Sequence, residues 1–223
     1  MARRGAGPPA SGIDARQLRE VPTFRDYTAP LLDALRSLPD GEKAILVGHS
    51  LGGLNVALAF PEKVAAAVFL CAYMPDCTST PGSVLVEGKR NRGQSQLDNE
   101  MKPQDAEGKL PASFMFGPQV IEQNLYQVCS KQDITLAKSV MRVGSMFLED
   151  LQVMEPFSKD RYGSVHKVYI IGNQDRALPE EFQRWMVSNN PVDEVKEIDG
   201  ADHMAMLSTP DEVVQCIVDI TEK

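Results

Sequence analysis

The spacing of apolar positions changes several times along this 223-residue chain, and each change marks an element. Tyr27, Leu31, Leu32, Leu35 and Leu38 recur at steps of three and four, the period of a helix, and Thr23 stands where its N-cap belongs. Pro30 falls inside that pattern, where a ring without an N–H starts a helix late or kinks it. Pro39-Asp40-Gly41 is a turn signal. Residues 43–47 then read as a short, fully buried strand. Residues 48–53 interrupt it, and 54–60 read as a helix. Further buried runs follow at 64–72, 168–171 and, more weakly, 194–198. Helical patterns at 179–187 and 210–220 separate the later ones. Strands alternating with helices predict one domain over 1–223 with a mostly parallel sheet and helices on both faces.

Between about 75 and 162 the strand signal disappears. Residues 78–110 are polar with scattered Gly and Pro, whereas 118–150 carry Leu125, Val128, Leu136, Val140 and Leu148 at helical spacing. The expectation is a helical cap insertion between two strands, serving as a lid; the alternative is an irregular surface excursion. There is no internal repeat.

Charge and composition narrow the partners. A formal net charge of −8 argues against nucleic acid, which needs a basic face, and against docking on an anionic membrane. The apolar runs are too short to span a bilayer. Two arginines follow Met1 and Ala2 but no apolar stretch follows them, so the start reads as a Gly/Pro-rich tail rather than a targeting segment. Cys71, Cys77, Cys129 and Cys216 fit neither a zinc pattern nor a dense disulfide framework; reduced thiols in a cytoplasmic protein are expected.

The segment Gly48-His49-Ser50-Leu51-Gly52-Gly53 matches G-x-S-x-G, the nucleophile elbow. It follows a strand signal and precedes a helical one, the context the motif requires. A strand that turns abruptly into a helix holds Ser50 at the apex in a strained conformation. The flanking glycines are expected because side chains there would strike neighbouring strands. The helix start then aims backbone N–H groups at developing negative charge.

A serine hydroxyl needs a base to take its proton, and the base needs a carboxylate to fix its tautomer. The chain has three histidines. His49 lies inside the elbow, and its ring is expected to project away from the Ser50 side. His166 precedes a strand, at the wrong end for a site above the carboxyl edge. His203 lies in a loop after the last strand and is the candidate base. Asp175, on the loop after the strand at 168–171, is the candidate acid, and Ser50, Asp175, His203 is the chain order of α/β-hydrolases. Asp202, Asp193 and Asp199 are rivals for that role.

Taken together, Ala10 to Asp14, Thr23 to Tyr27, Gly48 to Asn55, Ala65 to Leu70, Met146 to Leu151, Pro179 to Trp185 and Gly200 to Leu207 resemble the plant methylesterase family, from about residue 10 to the end. The resemblance implies an α/β-hydrolase fold and hydrolysis of methyl esters of small hormone acids, namely methyl salicylate, methyl jasmonate and methyl indole-3-acetate. It implies no metal, no organic cofactor, and pairing as homodimers. The related α-hydroxynitrile lyases carry lysine after the catalytic histidine and commonly cysteine after the nucleophile. Met204 and Leu51 stand there instead, as in the esterases, and would line an apolar acyl pocket. Family members begin with a strand and a His-Gly loop that gives one oxyanion N–H. Nothing before Ser11 resembles it, so an N-terminally truncated fold is expected, with the Leu51 N–H as remaining donor. Gln96 stands where several members place a Trp before a Leu-Asp pair. Beside the esterase reading stand a hormone-acid-binding protein with negligible turnover, a lyase, and a fragment that does not fold.

Overall fold

A computed structural model describes residues 9–10, 14–59, 61–91 and 97–222. The expectations for residues 1–8, for Phe60 as the end of a helix and for Gln96 lie outside them.

Thr23 caps the first helix, α1 (Phe24–Arg36), its hydroxyl accepting the Asp26 N–H at 3.1 Å. Pro30 neither delays this helix nor ends it; the ring costs one main-chain hydrogen bond, and burial of Phe24, Leu32 and Leu35 outweighs it. Strand β1 (Ala44–Ser50) runs on through the glycine that was expected to interrupt it. It is followed by α2 (Gly52–Ala57) and β2 (Val64–Ala72). Next come α3 (Ser83–Asn91), β3 (Glu100–Lys102) and β4 (Ser113–Met115). A short α4 (Pro118–Val120) passes into a π-helical turn (Ile121–Leu125), and α5 (Lys131–Val140) and α6 (Leu148–Val153) follow. The chain closes with β5 (Lys167–Gly172), α7 (Glu180–Asn189), β6 (Glu194–Ile198), α8 (Ala205–Ser208) and α9 (Pro210–Thr221).

Among the described residues the main sheet has the order β1-β2-β5-β6, every pair parallel. Side chains alternate through β2. Ala67 and Phe69 join a core with Phe24, Leu54, Tyr169, Phe182 and Met186 beneath α1, α2 and α7. Ala66, Val68 and Leu70 join Val168, Ile170, Ala205, Val213 and Ile220 beneath α8 and α9. Helices therefore cover both faces, as expected of a parallel sheet.

Two further expectations need correction. Strand β1 is not fully buried: Val47 is 42% exposed, because β1 has a strand neighbour on one side only among the described residues. The stretch expected to lack strands contains the antiparallel pair β3–β4, register Glu100 with Met115. A third, smaller core of Val120, Ile121, Leu125 and Ala137 takes in Ala177 from the loop after β5. No described helix is long and apolar enough to cross a membrane, and the four cysteines are free thiols.

Candidate active site

The carboxyl ends of β1, β5 and β6 bring the candidate residues together. At the end of β1, Ser50 has φ of +54°, a left-handed conformation that a non-glycine residue adopts at a cost of about 1–3 kcal/mol. The bend is held by the Tyr73 N–H donating to the Ser50 carbonyl at 3.0 Å. Leu51 follows in helical conformation and heads α2.

Steric demand on the elbow glycines differs from the expected pattern. A Cβ on Gly48 would lie 2.6 Å from the Gly52 carbonyl oxygen, so it would strike the returning helix rather than a neighbouring strand. On Gly53 it would lie 2.0 Å from the Tyr73 carbonyl oxygen and 3.0 Å from the Phe69 ring. On Gly52, the motif's own second glycine, it would meet nothing within 4 Å.

His203 and Asp175 are each only 4% exposed. The His203 Nδ1 lies 2.8 Å from Asp175 Oδ2, and its Nε2 lies 3.0 Å from the Ser50 Oγ. A carboxylate can only accept, so Nδ1 carries the proton and the Nε2 lone pair faces the serine hydroxyl. The other oxygen of Asp175 accepts the N–H groups of Ala177 and Leu178, both at 2.8 Å, which fixes the carboxylate's orientation. The arrangement can deprotonate Ser50 and stabilise the resulting imidazolium.

The rivals point elsewhere. Asp193 accepts the Lys167 N–H and faces His166 at the amino end of β5. Asp199 accepts from the Asn173 side chain. Asp202 turns away from the site, accepting the Val128 N–H at 2.9 Å. Leu51 packs half-buried against the larger core, and Met204, also half-buried, stands beside His203.

Two contributors were missed. The His49 Nε2 lies 2.6 Å from the His203 carbonyl oxygen, with the two ring centroids 4.7 Å apart. A carbonyl only accepts, so Nε2 is protonated and His49 braces the base's backbone. Burial, then the nearby His203, pushes the His49 pKa down to about 3, so it adds no positive charge against an imidazolium. Gln183, fully buried on α7, donates to the Gly172 and Leu178 carbonyls at 3.1 and 2.7 Å and accepts the Gly172 N–H. It thereby pins both ends of the loop that carries Asp175. A polar residue amid the apolar stripe of Phe182 and Met186 was the available signal.

A family model described as the alpha/beta hydrolase family matches residues 1–216. The chain is 44% identical over 218 residues to salicylic acid-binding protein 2 of Nicotiana tabacum, covering 96% of this chain and 84% of that protein. It is 44% identical over 204 residues to alpha-hydroxynitrile lyase of Arabidopsis thaliana, covering 90% and 79%. The crystal structure of polyneuridine aldehyde esterase superposes with a TM-score of 0.91 at 40% identity, over 96% of this chain and 86% of that one.

Proposed function

The chain belongs to the alpha/beta hydrolase family, in its plant methylesterase branch, and from that premise we propose that it hydrolyses methyl esters of small hormone acids, methyl salicylate, methyl jasmonate and methyl indole-3-acetate among them, through Ser50, His203 and Asp175. Relatives named as esterases support a serine-type carboxylic ester hydrolase, with small-molecule esters as its substrate class. The observation that carries the finer reading is the chain of contacts from Ser50 Oγ through the His203 ring to a buried Asp175, 3.0 and 2.8 Å, at a serine with φ of +54°.

In the proposed reaction His203 Nε2 takes the Ser50 proton as Oγ attacks the ester carbonyl. The Leu51 N–H stabilises the oxyanion at the start of α2. His203 then protonates the departing methoxide, so methanol leaves and an acyl-serine remains. Water deprotonated by the same histidine attacks that ester, and the Ser50 oxygen takes the proton back. Leu51 and Met204 form the apolar wall for the acyl group.

The name of one relative supports a second reading, in which the site holds a hormone acid with negligible turnover. A lyase relative favours a third, against which stand Met204 and Leu51 where resembling lyases carry lysine and cysteine. Methanol release from methyl salicylate by the whole chain, beside a Ser50→Ala variant, separates them. Turnover lost by at least about 1000-fold in the variant is expected of the esterase. Salicylate binding by both proteins without methanol from either would replace the esterase with the binding protein. Cyanide release from mandelonitrile without methanol release would replace it with the lyase.

A further inference from the structure

Asp202 is fully buried beside the proposed base, yet its side chain takes no part in the Ser50–His203–Asp175 contacts. Its Oδ2 accepts the Val128 N–H at 2.9 Å and lies 3.4 Å from the Cys129 thiol, while Oδ1 accepts the Met204 N–H at 3.0 Å. A buried carboxylate is costly unless donors satisfy it. Here one donor follows His203 in the chain and the other two come from the region read as the cap. The same cap stretch also reaches the loop of the proposed acid. The Gln127 side chain donates to the Gln174 carbonyl at 2.5 Å, and Arg176 donates to the Gln123 carbonyl at 3.1 Å, on either side of Asp175.

We infer that Asp202 is a positioning residue whose carboxylate clamps the 126–129 turn to the His203 loop, making that turn a fixed part of the catalytic frame rather than a moving lid. His49 holds the His203 carbonyl, and the Asp202 carboxylate holds the next peptide through the Met204 N–H. Where the ring sits decides the 3.0 Å approach to Ser50, and a shift of about 1 Å in such a contact can cost about 100-fold in rate. Burial and the adjacent Asp202 push the Cys129 thiol up to about 12, so it stays an S–H donor.

The kinetic half of the test rests on the esterase reading; the labelling half does not. The full chain is compared with Asp202→Asn, Cys129→Ala, Cys129→Ser and the Asp202→Asn/Cys129→Ala double variant, using p-nitrophenyl acetate. The expected result for Asp202→Asn is a kcat lowered about 10- to 100-fold with KM within about twofold. Cys129→Ala is also expected to lower kcat, Cys129→Ser to restore most of that loss, and the double variant to be no worse than Asp202→Asn alone. N-ethylmaleimide labelling read by peptide mass spectrometry is expected to rise at least about tenfold at Cys129 in Asp202→Asn, with Cys77 unchanged. An unchanged kcat, a raised KM at constant kcat, or unchanged Cys129 labelling would overturn the inference. If Asp202→Asn does not melt cooperatively, equal kcat in Cys129→Ala and Cys129→Ser would overturn it. If the wild type hydrolyses no ester, the labelling at Cys129 alone decides.

Discussion

His49 stands one position before Ser50, but its ring serves the base rather than the nucleophile. It also gives the protein a pH dependence with a definite sign. Its pKa falls from 6.5 in the unfolded chain to about 3 in the fold, so between those values the unfolded state binds a proton that the folded state refuses. Stability present above about pH 6.5 is therefore lost as pH falls, at up to about 1.4 kcal/mol per pH unit. Urea unfolding at pH 7 and pH 5 should show that loss in the wild type and a profile flatter by about 1–2 kcal/mol in His49→Gln. Parallel profiles would assign the acid sensitivity to other groups. At this scale the three residues now in contact were legible: Ser50 from its motif, His203 by elimination among three histidines, Asp175 from its place after a strand. His49 and Asp202 were not, because burial by distant parts of the chain selects them, and Gln183 showed only as a polar residue within an apolar helical stripe. Asp202 was weighed only as a rival acid, and no local pattern shows that its carboxylate faces Val128.

Among the elements, the elbow carries the sharpest demand on sequence. An alanine methyl at 53 would overlap the Tyr73 carbonyl oxygen, while one at 52 would meet open space. Gly53→Ala should thus cost at least about 2 kcal/mol. Gly52→Ala should be neutral or gain up to about 1 kcal/mol, since alanine suits a helix better than glycine. Thermal melts of the two variants check this; equal shifts would contradict the steric account. Strands β2, β5 and β6 were visible as apolar or alternating runs. The β3–β4 pair was not, because Glu100, Met101 and Lys102 are all exposed and leave no period to read. Sequence also cannot tell a strand with two neighbours from one with a single neighbour, which is why β1 was read as fully buried.

For the whole molecule, the ends of the stretch read as a cap, 75 and 162, meet. The Tyr162 hydroxyl donates to the Pro75 carbonyl at 2.9 Å, and Asn190, at the end of α7, donates to both the Pro75 carbonyl and the Tyr162 oxygen. Removing that hydroxyl with Tyr162→Phe should lower stability by about 1–2 kcal/mol without lowering kcat, read from the urea midpoint and from ester turnover. A fall in kcat would tie the junction to the site. Residues Val84, Leu85, Phe147 and Leu151 from this stretch join the core beneath the sheet, whereas Val120, Ile121 and Leu125 form their own. The parallel sheet clad by helices was legible from alternation of elements, but this division was not, since it depends on which faces meet. The proposed chemistry stands on Ser50 as a nucleophile activated by His203. Fluorophosphonate labelling of the intact chain, with the adduct located by peptide mass spectrometry, probes that activation. One adduct on Ser50, lost in His203→Ala while that variant still melts cooperatively, is the expected result; an adduct elsewhere, an adduct indifferent to His203→Ala, or a folded chain that takes no label would contradict it.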